Sequence, residues 1–243
     1  WPLSRRALPK QFLKLTDNER TMFQLSCLRV ETLKYSKLVV ICNQDHIFLA
    51  EQQLLELNIT NYQIIAEPEA KNTAPVIAIA SQILPENSNI LVIGADHVFN
   101  DSLFCEAVSE GLKNVSEGIV TFGIKPTYPS TGYGYINYKQ SDSNKGIFDL
   151  INFVEKPNKE ISEKYLENGD YLWNSGNFLF SNKIMRQEFK KFCPQIWSDV
   201  SEVLQKCNST NEKHLKLDRE SFSKLNPDDL SIDYAIMERH THG

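Results

Sequence analysis

The stretch that most limits what this chain can become is residues 89–99, Asn-Ile-Leu-Val-Ile-Gly-Ala-Asp-His-Val-Phe. An apolar run, Ile90 to Ile93, stops at Gly94, and a carboxylate, Asp96, stands just past it. A short β-branched run closed by Gly reads as a buried strand, and burial on both faces points to a parallel sheet. In open α/β sheets the ligand sits beyond the carboxyl ends of the strands. A carboxylate there can hold Mg²⁺, which prefers oxygen ligands and keeps substrate phosphates in its shell. Asp96 also fits as a simple cap of the next turn or helix. Taken alone, the stretch leaves both readings open.

The chain before it repeats one theme. Apolar spacing at Met22, Leu25, Leu28 and Leu33 predicts a helix over residues 21–33. Residues 37–43 read as a strand, 44–57 as a helix, and 61–67 as a strand that ends at Pro68. Asn72 or Thr73 is a good N-cap for a helix over residues 76–84, with Pro75 suited to its first turn. A strand leading into a capped helix start is a ready anion or base site, and equally an ordinary cap. A helix over residues 103–115 follows the opening strand. Strand and helix thus alternate, the signature of a doubly wound, mostly parallel sheet with helices on both faces.

After Gly118 the pattern changes. Residues 119–124, 133–138, 148–154 and 171–180 read as strands, the last with a polar interruption; 133–138 and 148–154 alternate and need antiparallel partners or a long excursion, with a polar turn at 141–146 between them. Helices are expected over residues 160–167, 183–192 and 196–207, a polar stretch over 207–218, and a last element over 230–237. There is no internal repeat. The expected organisation is one α/β domain over residues 1–238, a parallel half and a mixed-sheet half, with a compositional break at 239–243.

Composition narrows the function classes. An apolar share of 41% supports a sizeable core, and a net charge of −5 argues against a general nucleic-acid binder while leaving room for a local phosphate site. Five cysteines are scattered without a CxxC pair or a His/Cys cluster, which fits reduced thiols in a cytoplasmic protein. No apolar run approaches the roughly 20 residues of a membrane span, and no signal-peptide pattern is present. The opening residues are basic and Pro-broken: Arg5, Arg6, Lys10 and Lys14 between and after Pro2 and Pro9. They can face phosphates or merely solvent. The start at Trp1 without Met, and the abrupt end, read as those of a fragment.

Four stretches put polar groups at strand ends, where a packed core would want apolar ones. They are Gly132-Tyr-Gly134, Glu155-Lys-Pro157, Asn174-Ser-Gly-Asn177 and Ser231-Ile-Asp233. Each alone reads as a turn, a surface ion pair, a β-bulge or a cap. Together they suit a sugar and its phosphate: Glu and Asn grip hydroxyls, Lys a phosphate, and Gly permits close approach.

These residues resemble the mannose-1-phosphate guanylyltransferases of the bacterial long type. The matching runs, in the family's order, are Trp1-Pro-Leu-Ser-Arg5, Leu8-Pro-Lys-Gln-Phe12, Glu67-Pro68 with Asn72-Thr-Ala-Pro75, Ala95-Asp-His97, Gly132-Tyr-Gly-Tyr-Ile136, Phe153-Val-Glu-Lys-Pro157, Trp173-Asn-Ser-Gly-Asn-Phe178 and Ser231-Ile-Asp-Tyr-Ala235. The resemblance implies a Rossmann-like nucleotidyltransferase fold and nucleotidyl transfer from GTP to mannose 1-phosphate, giving GDP-mannose and diphosphate. It implies that Asp96 and Asp233 hold Mg²⁺, that Lys10 contacts the triphosphate, and that Lys156 holds the sugar phosphate. Glu155, Asn174, Asn177 and Gly134 would bind the mannose. Asn72 and Thr73 fall in the nucleotide-base region, and Arg5 is a weaker phosphate candidate. No nucleic-acid or membrane partner is implied, and the oligomeric state, a homo-oligomer included, is open.

The departures from the family pattern carry expectations of their own. The family places a strand and a Gly-rich phosphate loop before the Trp-Pro-Leu-Ser run, and the strand belongs in the middle of the parallel sheet. A chain lacking them should expose two strand edges, turn over poorly and be less stable. Ile93-Gly94 stands where the family usually has Leu-Pro, and little effect on Asp96 is expected. The further C-terminal part of long family members is not represented, so nothing supports isomerase activity. Two alternatives stay open: a nucleotidyltransferase for another base or sugar, and an inactive sugar-nucleotide-binding module. A dinucleotide-binding dehydrogenase is excluded, because no GxGxxG follows the first strand.

Overall fold

The computed structural model describes residues 4–5, 8–16, 19–139, 146–209, 213–225 and 231–241. Along the chain these form α1 (Met22–Glu31), β1 (Leu38–Asn43), α2 (Ile47–Glu56), β2 (Tyr62–Glu67), α3 (Thr73–Ile83), β3 (Asn89–Val92) and α4 (Asp101–Leu112). There follow β4 (Val120–Ile124), β5 (Tyr135–Lys139), β6 (Asp149–Val154), α5 (Lys159–Asn168), β7 (Tyr171–Ser181), α6 (Asn182–Phe192) and α7 (Pro194–Gln205). The last elements are β8 (Asn208–Ser209), β9 (His214–Lys216), α8 (Arg219–Ser223), a π-helical turn (Asp233–Met237) and α9 (Glu238–Thr241). The polar turn expected at 141–146 lies, except for Gly146, outside the described residues.

The chain forms two compact units. The first holds residues 1–71, 93–106 and 198–226, the second residues 72–92, 107–197 and 227–243.

The first unit is built on the sheet β1-β2-β9-β8. β1 and β2 run parallel, from Leu38 opposite Tyr62 to Asn43 opposite Glu67. β9 adds to β2, also parallel. Phe12, Phe23, Cys27, Ile47, Leu54 and Ile64 are among its core residues, with Cys42 and Ala95 packed against them. α1 starts where its sequence says it should. The Thr21 hydroxyl accepts from Gln24 N, and the Gln24 side chain accepts from Thr21 N, a reciprocal capping box. β9 was not expected, because 207–218 reads as a polar stretch. Three residues are too few to show an alternation, and only pairing with β2 makes them a strand.

The second unit carries the sheet β3-β7-β5-β6, with β4 also paired to β7. Here the expectation of a third parallel strand is corrected: β3 pairs antiparallel with β7, Ile90 opposite Phe180 and Val92 opposite Phe178. An apolar run reports burial but not strand direction, and β7, an eleven-residue strand with six apolar residues, supplies the partner from much later in the chain. Among the described residues β1 and β3 each lie at the end of their sheet. All six residues of β1 are only half-buried, although five of them, Leu38 to Cys42, are apolar.

The polar interruption in β7 is a bulge. Thr121 of β4 pairs with Phe178, but Gly123 pairs with Asn174, so β7 carries extra residues between them. Gly176, at φ +70°, takes the left-handed conformation the bulge needs. Such a kink re-aims side chains, and here it re-aims Asn174.

Candidate active site

In the first unit, Lys10 sits at the start of a short 3₁₀ turn, Lys10–Phe12, that anchors Phe12 in the core. Its Nζ lies 2.8 Å from Asp96 Oδ2. The structure therefore brings together two residues singled out separately, as an ion pair. Both side chains are substantially exposed, 53% and 40%, so the pair adds at most about 1 kcal/mol to stability. Burial opposes ionisation of Asp96, but the Lys10 ammonium outweighs it and holds the carboxyl below the usual range, with His97 helping.

The Asp96 segment is held from behind by Arg29 of α1, a residue the sequence reading passed over. Its buried guanidinium donates from Nε to Asp101 Oδ1 at 2.6 Å and from Nη2 to the His97 carbonyl at 3.3 Å. It also lies 5.2 Å from the centroid of the Phe99 ring. A lone Arg on the buried face of an amphipathic helix is the signal that could have marked it. Gly94 has a local reason too: a Cβ there would stand 2.7 Å from His97 Cε1. Arg5 lies exposed in a tight turn, its backbone N–H donating to the Leu8 carbonyl and its own carbonyl accepting from Leu8 N.

The second unit holds the other residues singled out in the sequence. Asp233 opens the π-helical turn. Its Oδ1 accepts from Asn174 Nδ2 and its Oδ2 from Ser231 Oγ, each at 2.8 Å. Burial raises its pKa, and the Ser231 and Asn174 hydrogen bonds pull the other way without cancelling the rise. Glu155, whose side chain is 8% exposed, pairs with Lys156 Nζ at 3.3 Å. Its pKa is raised by burial first and by the neighbouring Asp233 charge second. The Glu155 backbone N–H donates to Glu238 Oε1 at 3.3 Å, a contact no sequence pattern marked. Lys156 itself has φ +45°, a conformation that strains any residue with a side chain.

Gly134 ends the approach to β5. Its carbonyl accepts from Asn174 N at 2.8 Å, and the space above it is filled by the Glu155 carboxylate. The side chain of Asn177 is fully buried and turns back on Ser175, donating to the Ser175 carbonyl and Oγ. Asn72 is the N-cap of α3, its Oδ1 accepting from Thr73 N at 2.9 Å. The Thr73 hydroxyl accepts from Ile232 N at 2.9 Å, which ties the start of α3 to the residue before Asp233.

Asp96 and Asp233 are hard oxygen donors, and each Asp233 oxygen keeps a lone pair beyond its single hydrogen bond. Among the described residues no three His, Cys, Asp or Glu side chains form a ready metal cage. Each carboxylate, taken within its own unit, is of the donor type Mg²⁺ prefers, since that ion can be held through a single carboxylate and fill its shell with water and phosphate. The cysteines offer nothing softer: burial pushes the Cys27 and Cys42 thiols up to about 12. No helix among the described residues is long and apolar enough to cross a membrane.

The α/β fold and its charged and amide side chains fit one class of protein, which comparison with known proteins identifies. The chain belongs to the nucleotidyl transferase family, which matches residues 1–218. It is 41% identical over 98% of its length to a mannose-1-phosphate guanylyltransferase of Salmonella montevideo, covering 51% of that protein. It is 39% identical over 98% of its length to the xanthan biosynthesis protein XanB of Xanthomonas campestris, again covering 51%. The chain thus spans about half the length of these curated relatives. Among solved structures it resembles a mannose-6-phosphate isomerase from Helicobacter pylori, with TM-score 0.87 and 28% identity over 96% of this chain and 90% of that one. A Thermus thermophilus protein titled mannose-1-phosphate geranyltransferase follows, with TM-score 0.80 and 27% identity over 98% of this chain and 67% of that one.

Proposed function

We propose that this chain carries the nucleotidyl-transfer site of a mannose-1-phosphate guanylyltransferase: GTP and mannose 1-phosphate give GDP-mannose and diphosphate. A phosphate oxygen of the sugar phosphate forms a bond to the α-phosphorus of GTP, and the bond from that phosphorus to the bridging oxygen of the β-phosphate breaks. The observation that carries the reading is the linked set Glu155, Lys156, Asn174 and Asp233 in the second unit, in a chain about 40% identical to guanylyltransferases along 98% of its length.

Both reactants are anions, so the work is positioning and charge neutralisation. Lys156, 58% exposed, meets the sugar phosphate. The Glu155 carboxylate accepts from mannose hydroxyls over Gly134. Lys10 exchanges Asp96 for the triphosphate, and Asn72 at the start of α3 faces the base. In the first unit Asp96 is a carboxylate that would ligate Mg²⁺, and in the second unit Asp233 is another. When bound, that ion supplies positive charge against the phosphate oxygens. The work takes place in the cytoplasm, in keeping with five free cysteines.

Calorimetric titration with GDP-mannose and Mg²⁺ tests this, with UDP-glucose and ADP-glucose as controls. Selective GDP-mannose binding that is lost in Lys156→Ala and Glu155→Ala supports the reading. Equal binding of all three ligands by the folded chain overturns the base and sugar assignment.

A further inference from the structure

Asn174 spends most of its hydrogen-bonding capacity inside the protein. Its Oδ1 accepts from Thr121 Oγ1 at 3.0 Å and from Gly176 N at 3.2 Å. Its Nδ2 donates to Asp233 Oδ1 at 2.8 Å. That uses both acceptor positions of the amide oxygen and one of its two N–H bonds. The orientation of the amide follows from its neighbours. Gly176 N–H can only donate, so the oxygen faces it, and the nitrogen is left to face the carboxylate.

The bonds form a directed series. Thr121 on β4 donates to Asn174 on β7, and Asn174 donates to Asp233 on the π-helical turn. Ser231 donates to the other oxygen of the same carboxylate. Each donor points towards Asp233, and such chains polarise one another in a half-buried setting. The bulge at Ser175–Asn177 supplies the geometry, since it lets Asn174 turn to Thr121 although Thr121 pairs with Phe178 in the ladder. Groups that hold a metal-binding carboxylate set its direction and its basicity.

We propose that Thr121 and Asn174 are positioning residues for the Asp233 carboxylate, acting on divalent-cation affinity through it and not on the grip of the sugar. The inference rests on the reading of Asp233 as a cation ligand. Thr121 lies one residue removed from any residue assigned to substrate, so its effect reports the relay alone.

The test uses Mn²⁺, whose electron paramagnetic resonance signal reads free ion directly, titrated into the whole chain with GDP-mannose present. Asp233→Asn should abolish the binding. Asn174→Ala and Thr121→Val should weaken it by roughly 10-fold, and Thr121→Ser should restore it. GDP-mannose affinity, measured by calorimetry at saturating Mn²⁺, should change by less than about twofold in Thr121→Val, a small fraction of the tenfold that 1.4 kcal/mol represents. Mn²⁺ binding unchanged in both relay variants but lost in Asp233→Asn overturns the inference and leaves the proposed function standing. Loss of GDP-mannose affinity at saturating Mn²⁺ in Asn174→Ala also overturns it, by giving that amide a direct sugar contact. Wild-type Mn²⁺ binding in Asp233→Asn removes the cation role of Asp233, and the inference with it.

Discussion

The carboxylate of Glu155 lies where a side chain at Gly134 would have to go. A Cβ at position 134 would stand 2.5 Å from Glu155 Oε2 and 3.1 Å from Phe153 Cζ. The glycine serves the protein's own carboxylate, which is then presented at the head of β5. In Gly134→Ala, Glu155 and the fully packed Phe153 must shift, an overpacking cost of about 1–3 kcal/mol. Thermal melting should show the loss. GDP-mannose titration should show a larger relative loss, because Glu155 moves off its Lys156 partner. A variant with wild-type melting and affinity would mean that Glu155 has other room.

Lys156 keeps a positive φ that a lysine pays for in stability. Lys156→Gly should therefore stabilise the fold by about 1 kcal/mol, the scale of the left-handed strain it relieves. The same change should abolish GDP-mannose binding, since the ammonium is gone. Denaturant unfolding beside calorimetry checks both. A less stable glycine variant would show that the Lys156 side chain holds the turn together.

Glu67 at the end of β2 is 8% exposed, and burial raises its pKa from the ordinary 4.5 to about 7. Between those values the folded chain keeps a proton that the unfolded chain has lost. Stability from this group is therefore full below about pH 4.5 and falls as pH rises towards 7. Glu67→Gln should be more stable than wild type at about pH 8, by up to about 3 kcal/mol, and similar to it at about pH 4. Melting curves at the two pH values decide it.

Asp233 and Glu155 carry raised pKa values, both chiefly from burial. Cation and sugar binding need them ionised. As pH falls, they take up protons before an exposed carboxylate would. Mn²⁺ affinity should then decline already above the ordinary carboxylate range, and Asp233→Asn should remove that dependence together with the binding. Titrations taken down into the ordinary carboxylate range would follow it. Affinity that holds until an exposed carboxylate would itself be protonated would contradict the raised values.

Gly94→Ala should leave stability within about 1 kcal/mol, because the obstructing atoms belong to the His97 ring, which can rotate. It should, however, take His97 off its edge contact with Phe99, now 5.5 Å between centroids. The His97 ring-proton resonances report that displacement directly.

Much of the molecule was legible in the residues themselves. The Thr21 capping box, the Asn72 cap and Pro75 in the first turn of α3 are local chemistry, decided within a few positions of each other. The apolar runs at 38–43, 62–67 and 89–92 announce strands for the same reason, though only the second is mostly buried. The polar residues Glu155, Asn174 and Asp233 stand out beside apolar runs because a core has no use for them unless they are paired. Which strand each run would meet was not legible. β3 looks like a third parallel strand until β7, some ninety residues on, takes it antiparallel. β9 has no pattern of its own and exists only beside β2. Partners within the site were hidden likewise. Nothing in the sequence ties Lys10 to Asp96, Arg29 to the His97 carbonyl, or Thr121 through Asn174 to Asp233. Sequence alone determined which residues are apolar, capped or chemically equipped, since those properties travel with the side chain and its near neighbours. Only the tertiary structure decided strand direction, the β7 bulge and the hydrogen-bond partners of each carboxylate, because these depend on groups far apart in the chain meeting within about 3 Å.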